Sequence, residues 1–179
     1  YGADGAGTTV TTYALAVNSG STGLVDTATN QAVVLSVNGS GVVEGRTATS
    51  NALVFTVSVD TAGEVTLNQE RAVVHANSAN PDDGKGLAGA DLITLTRSDT
   101  ITDKDGDSIT DSGTINLGSA ISFEDDGPSM TVSASAAADT LTVDESSLVT
   151  NASANFADNF TITSSYGSEG AGTTVTAYA

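Results

Sequence analysis

Apolar and polar residues alternate along several short stretches of the chain. In LVFTVSVD (53–60), one side carries Leu53, Phe55, Val57 and Val59, and the other carries Val54, Thr56, Ser58 and Asp60. A period of two predicts a half-buried β-strand. The same alternation predicts strands at TYALAV (12–17), EVTLNQ (64–69), AISFE (120–124), MTVSA (130–134) and FTIT (160–163).

Three further stretches are more continuously apolar, which is typical of central or fully buried strands. They are VVLSV (33–37), RAVVHA (71–76) and DLITLT (91–96). Many short strands punctuated by Gly, Asn and Asp predict an all-β fold, an antiparallel β-sandwich. Residues 144–160 are the least strand-like, and Phe156 and Phe160, four residues apart, fit one face of a short helix there.

Composition adds an unusual charge. The 179 residues include 5 Lys plus Arg against 22 Asp plus Glu, a net charge of −17. Such a chain repels nucleic-acid phosphates and anionic lipid, so we expect no nucleic-acid partner. No apolar run is long enough to cross a bilayer, so we expect no membrane insertion. With no Cys, disulfides and thiolate chemistry are excluded.

The chain contains an internal repeat. YGADGAGTTVTTYA (1–14) returns as YGSEGAGTTVTAYA (166–179), identical at 11 of 14 positions with an offset of 165 residues. A match of this length indicates one period of a tandem array followed by the start of the next copy.

The best candidate for chemistry is DKDGDSITDSGT (103–114). Asp103, Asp105 and Asp107 stand at alternate positions around Gly106, as at the start of an EF-hand loop. The match then fails, because Ser108 stands at the sixth position and Thr114 at the twelfth, where the EF-hand needs Gly and Glu. A strand-to-strand loop could still bind Ca²⁺, with Asp111 or a distant carboxylate completing the ligands. The alternative is a solvated Asp/Gly turn.

A second acidic group is SFEDDGPSM (122–130), where Glu124, Asp125 and Asp126 follow a predicted strand and precede Gly127-Pro128. Pro128 favours extended geometry for the residue before it, so this segment reads as a junction. Its three acids could share a calcium ion with a neighbouring unit, or form a charged linker. Asp144 and Glu145, in TVDESS (142–147), are weaker candidates for the same cluster.

The sequence lacks the motifs that usually surround catalytic residues. The single His lies in a predicted strand, no G-x-S-x-G elbow surrounds a Ser, and the Gly-rich start has Thr8 where a P-loop needs Lys. We therefore expect no enzyme. The rival interpretation is a module that binds sugar, peptide or ice directly through an aromatic or flat Thr-rich face. There is no Trp, and the Thr residues look scattered over many strands without a ladder spacing.

Several segments together resemble the tandem repeats of bacterial RTX adhesins, surface proteins exported by type I secretion. They are YGADGAGTTVTTYALAV, GLVDTATNQAVVLSVNGSGVVEGRT, VFTVSVDTAGEVTLNQERAVVH, ADLITLT, TDKDGDS and ISFEDDGPS. The resemblance covers nearly the whole chain, although the glycine-rich RTX nonapeptide is absent. It implies an Ig-like β-sandwich that binds calcium and extends a stalk at the bacterial cell surface, outside the cell. Its role would be to project a distal ligand-binding region for adhesion or biofilm formation.

The resemblance also implies repeat boundaries. Residues 1–128 would be the later part of one repeat, and residues 129–179 the opening segment of the next. The implied partners are neighbouring repeats of the same chain. Residues 129–179 would pack back on 1–128, within one chain or swapped between two, and both arrangements stay open at this point.

Overall fold

The computed structural model describes residues 2–3, 5–77, 79–135, 139–167 and 170–178. The chain forms two compact units, Tyr1–Asp125 and Asp126–Ala179. Five residues of the repeated segments, Tyr1, Asp4, Ser168, Glu169 and Ala179, lie outside the described residues. No helix in the described ranges has the length and apolarity needed to cross a membrane.

In its described residues, the first unit contains nine strands. They are β1 (Ala6–Val17), β2 (Val33–Val37), β3 (Val43–Thr47), β4 (Leu53–Val59), β5 (Val65–Gln69), β6 (Gly84–Gly86), β7 (Ile93–Asp103), β8 (Ser108–Asn116) and β9 (Ser122–Glu124). They form a four-stranded sheet β2-β3-β4-β5, a three-stranded sheet β1-β7-β8 and the short pair β6-β9. Every pairing is antiparallel. The predicted all-β antiparallel sandwich is therefore confirmed.

The core of this unit draws side chains from both larger sheets. The four-stranded sheet supplies Val33, Val43, Val54, Phe55 and Val57, and the three-stranded sheet supplies Leu15, Ile93 and Leu95. Phe123 on β9 packs its ring against Phe55, with 5.0 Å between centroids. Burying this apolar surface between two sheets is the main stabilising contribution available to a chain without disulfides.

The three-stranded sheet extends past this core. The first half of β1, the second half of β7 and all of β8 are exposed or half-buried, whereas Leu15, Ile93 and Leu95 at the other end are buried. β1 and β7 pair in register from Val17↔Ile93 to Thr8↔Thr102, with a bulge at Gly7. The β7–β8 hairpin thus carries its connecting loop to the outer end of the sheet.

The second unit contains an antiparallel pair of β10 (Ser129–Ala134) and β11 (Phe160–Ser165). A 3-10 turn at Phe156–Asn159 lies between the two strands and directly precedes β11. One face of the pair carries Met130, Val132, Phe160 and Ile162, all of them exposed. The short helix that we predicted within 144–160 is only this single turn, since Phe160 begins a strand. Asn155 caps the turn by accepting a hydrogen bond from the Ala157 N–H at 3.1 Å.

Several strand predictions need correction. RAVVHA (71–76) forms no strand, and Val73 makes only an isolated bridge to Asp26. Conversely, β3 and β8 were not predicted, because Gly45 and Gly113 interrupt their apolar patterns. The strand predicted at TYALAV (12–17) begins earlier, at Ala6, and its additional Thr and Val residues pair with β7.

Candidate metal centre

The loop that joins β7 to β8 is built by a local hydrogen-bond network. The Asp103 N–H donates to the carbonyl of Asp107 at 3.0 Å, which closes the turn. In return, Asp103 Oδ1 accepts from the N–H groups of Gly106 at 3.2 Å and Asp107 at 3.0 Å. Gly106 has φ +102°, a region that residues with a Cβ rarely adopt. Lys104 to Asp107 therefore form a tight tip with a fixed path.

Three carboxylates converge at this tip. One oxygen from each of Asp103, Asp105 and Asp107 lies within 4.8 Å of the others. Asp103 is half-buried, whereas Asp105 and Asp107 are exposed. Among the residues that the structure describes, no other group of three or more Asp, Glu, His or Cys meets this criterion. This cluster could hold a metal ion.

The electrostatics of the loop favour a cation. The hydrogen bond with the Asp105 carboxyl, aided by the backbone N–H groups of the turn, holds the pKa of Asp103 below its ordinary 3.8, against the opposing effect of partial burial. Carboxylates held this close repel one another, and a cation bound between them relieves that repulsion. A cavity of about 240 Å³ adjoins the loop, lined by Gly2, Ile101, Asp103, Asp107, Ser108 and Ile109.

Asp111 does not join the cluster. It lies on β8 directly opposite Asp99 of β7, beyond the loop. Asp99 accepts hydrogen bonds from the Thr11 hydroxyl at 2.5 Å and from Arg97 at 2.9 and 3.1 Å. These bonds, that of Thr11 first, lower the pKa of Asp99. If Asp111 binds an ion, it does so apart from the three loop carboxylates.

The other predicted ligands lie on different elements. Glu124 ends β9, and the Asp125 N–H donates to the Asp83 carbonyl at 3.0 Å. Asp126 begins the second unit. Asp144 accepts from the Ser146 N–H at 2.8 Å, which lowers the pKa of Asp144, and Glu145 lies exposed in the same turn. That these residues bind calcium stays a prediction.

One surface feature was missed in the sequence. Four hydroxyl pairs cross from β7 to β8 at 2.7–2.8 Å: Thr96–Thr114, Ser98–Ser112, Thr100–Thr110 and Thr102–Ser108. The statement that the Thr residues lack a ladder spacing is therefore wrong. The signal was present, because Ser and Thr recur at every second position of both strands. We call these eight residues the hydroxyl ladder.

Residues 1–118 match a family described as a domain of unknown function, DUF5801. The chain belongs to the DUF5801 family. The matched segment includes β1 to β8, the hydroxyl ladder and the loop from Asp103 to Asp107, which we call the aspartate loop. It ends before Glu124. No curated protein and no solved structure matches the chain significantly.

Proposed function

We propose that this chain is a calcium-stabilised extender module in the repetitive stalk of a bacterial surface adhesin, acting outside the cell. The observation that carries the proposal is the convergence of Asp103, Asp105 and Asp107 within 4.8 Å. Ca²⁺ binds oxygens at about 2.3–2.6 Å, so two ligands of one ion lie at most about 5 Å apart. The cluster fits that limit, and its donors are all carboxylate oxygens, which suit a hard cation.

Calcium fits this loop better than magnesium. Magnesium keeps most of its waters and demands near-ideal octahedral geometry, whereas calcium accepts several carboxylates in a flexible arrangement. In the turn, Asp103 would hold the ion while its Oδ1 also orders the Gly106 and Asp107 backbone. An ion bound here would fix the end of the β7–β8 hairpin, where both strands extend past the core.

The stalk role is supported by the internal repeat and by the resemblance to RTX adhesin repeats. A tandem array whose modules stiffen in calcium would project a distal region for adhesion or biofilm formation. Where free calcium is scarce, as inside a cell, uncompensated acidic loops would weaken folding and so help export. Glu124, which ends β9, and the adjacent Asp125 and Asp126 are the proposed second set of calcium ligands, and Asp144 and Glu145 belong to the same proposal.

Small-angle scattering of two joined repeats tests the stalk role. We expect a longer maximum dimension and less flexibility in calcium than in EDTA. A triple variant with Glu124→Gln, Asp125→Asn and Asp126→Asn should lose the calcium-dependent increase in maximum dimension, while each repeat remains folded. Identical scattering in calcium and EDTA would contradict a calcium-stiffened stalk.

A second candidate is a direct ligand-binding module, for which the hydroxyl ladder is the favouring observation. In the sheet register, Thr8 and Thr12 of β1 lie beside Thr102 and Ser98, which widens the polar face. A flat array of hydroxyls suits a hydroxyl-rich ligand such as a sugar chain. Saturable binding on a glycan array, lost in Thr110→Lys and kept in Ile109→Lys on the opposite face, would support this candidate.

A further inference from the structure

The last described segment has the sequence of a strand but forms none. Residues 171–178 read AGTTVTAY, and residues 6–13 read AGTTVTTY, so the two differ only at Ala177 against Thr12. Residues 6–13 are the first part of β1 and pair along β7. Residues 170–178 belong to no strand. One sequence thus has a partner in the first unit and lacks that partner in the second.

The contacts that β7 gives to β1 are specific. The Thr11 hydroxyl donates to Asp99 Oδ1, and Arg97 stacks over the Tyr13 ring, 5.9 Å from its centroid. Tyr13 also packs against the edge of the hydrophobic core. These contacts stabilise a strand that has Thr and Tyr two positions apart, because alternate residues of a strand face the same side.

The copies of these residues are left exposed. Thr176 corresponds to Thr11, and Tyr178 to Tyr13. Tyr178 is 71% exposed, whereas Tyr13 is partly buried. Val175 is 89% exposed, against 56% for its counterpart Val10. The segment carries the side chains that recognise β7 and lacks a β7 beside it.

We propose that residues 171–178 are the first part of another β1 strand, whose partner is a copy of β7 one 165-residue period further along the same polypeptide. Thr176 then bonds to the copy of Asp99, and Tyr178 lies beneath the copy of Arg97. Each copy of β7 would thereby pair with the segment that follows the β11 lying before it in the polypeptide. This inference concerns strand pairing and does not depend on calcium.

A second molecule fits the segment less well. In this chain β7 already lies between β1 and β8, so an incoming strand must displace β1. β1 also holds Leu15 in the core and Val17 against it, and residues 171–178 correspond to 6–13, which include neither. Displacing the whole of β1 would expose both side chains to water, which is unfavourable. The next repeat offers a β7 that has no β1 of its own.

The test extends the whole chain, with residues 1–179 followed directly by residues 15–125. Residues 166–179 then stand in for 1–14 of a complete second copy. Hydrogen exchange of the amides at 172–178 should slow at least about 100-fold relative to the 179-residue chain. Residues 7–13 of the same molecule provide the reference rate, and amides of the added β4 report whether the second copy folds.

Two substitutions sharpen the test. In the extended chain, Thr176→Val should raise exchange in the second copy about five- to tenfold, and Thr11→Val should do the same in the first. Thr173→Val, at the position of the exposed Thr8, should change it little. The proposal is overturned if the second copy folds while 172–178 exchange as before, or if the second copy fails to fold while the first does. Protection of 172–178 in a dimer of the 179-residue chain would also overturn it, by assigning the segment to a second molecule.

Discussion

Arg71 holds the buried carboxylate of Asp26 with two hydrogen bonds, 2.7 Å from Nε to Oδ1 and 3.1 Å from Nη2 to Oδ2. The Asp26 residue is 0% exposed. Thr29 also donates to Asp26 Oδ2, through its N–H at 2.9 Å and its hydroxyl at 2.6 Å. The Arg71–Asp26 pair links the β1–β2 connection, which contains Asp26, to the segment after β5. Val73 of that segment also forms an isolated β-bridge with Asp26. A buried charge is tolerated here because it is paired with Arg71 and both of its oxygens accept hydrogen bonds.

We expect Asp26→Ala to lower the free energy of unfolding by about 2–4 kcal/mol, because it removes the buried acceptor of two hydrogen bonds from Arg71 and two from Thr29. Urea unfolding followed by circular dichroism measures the change. The matched control is Asp82→Ala in an exposed loop, which should alter stability by less than about 0.5 kcal/mol. Equal effects of the two substitutions would contradict the role given to the buried pair.

The same pair predicts a pH dependence. The hydrogen bond from Arg71, more than any other contact, lowers the pKa of Asp26 below 3.8. The unfolded chain therefore takes up this proton first as the pH falls, so the stabilisation is complete above about pH 4 and is lost as the pH falls through the folded pKa. The stability difference between the parent chain and Asp26→Ala should be constant from about pH 5 to 7 and shrink toward pH 2. A difference that grows on acidification would refute this assignment.

Gly45 and Phe55 give a packing prediction. They are direct cross-strand partners, and a Cβ on Gly45 would lie 2.2 Å from the Phe55 ring. Gly45→Ala should cost about 1–3 kcal/mol, because the ring must leave its place beside Phe123. Gly113→Ala is the matched control, since nothing lies within 4 Å of the Cβ that it would add to β8. In a double-mutant cycle, Phe55→Leu should recover part of the Gly45→Ala loss but none of any Gly113→Ala loss.

The aspartate loop allows a substitution that keeps its turn. Asp103→Asn retains an oxygen to accept from Gly106 and Asp107, and removes one charge from the candidate ligands. We expect it to weaken calcium affinity at least about tenfold by isothermal titration calorimetry while leaving the calcium-free melting temperature nearly unchanged. Asp111→Asn, which replaces a carboxylate outside the cluster, should bind calcium as tightly as the parent chain. If Asp111→Asn were the weaker binder, the ion would lie along β8.

Local pattern sufficed for much of the fold. The alternation in LVFTVSVD predicted β4, and the Asp-Gly loop indicated the cluster that the β7–β8 turn brings together. Strands were missed where glycine replaces an apolar residue, as at Gly45, whose missing side chain is compensated by a ring from the next strand. RAVVHA was misassigned because its arginine is used for the Asp26 pair, a contact between residues 45 apart that no local pattern reveals.

At the surface, the sequence pattern indicated the hydroxyl ladder, and the strand register completes it. Ser and Thr at alternate positions of β7 and β8 become a ladder only when the hairpin turn fixes Thr102 opposite Ser108. The candidate ligands at 124–126 and 144–145 differ from the loop in this respect. No short turn fixes their carboxylates on one ion, and sequence spacing alone does not determine whether they share one.

Thermal unfolding with and without EDTA tests calcium stabilisation most directly, with calcium or magnesium added back separately. At free calcium ten times the dissociation constant, one site adds about 1.4 kcal/mol to stability, which raises the Tm by a few degrees. We predict that EDTA lowers the Tm, that calcium restores it and magnesium does not, and that Asp103→Asn removes most of the difference. If the Tm in EDTA equals the Tm in calcium, the proposal that calcium stabilises this module is contradicted.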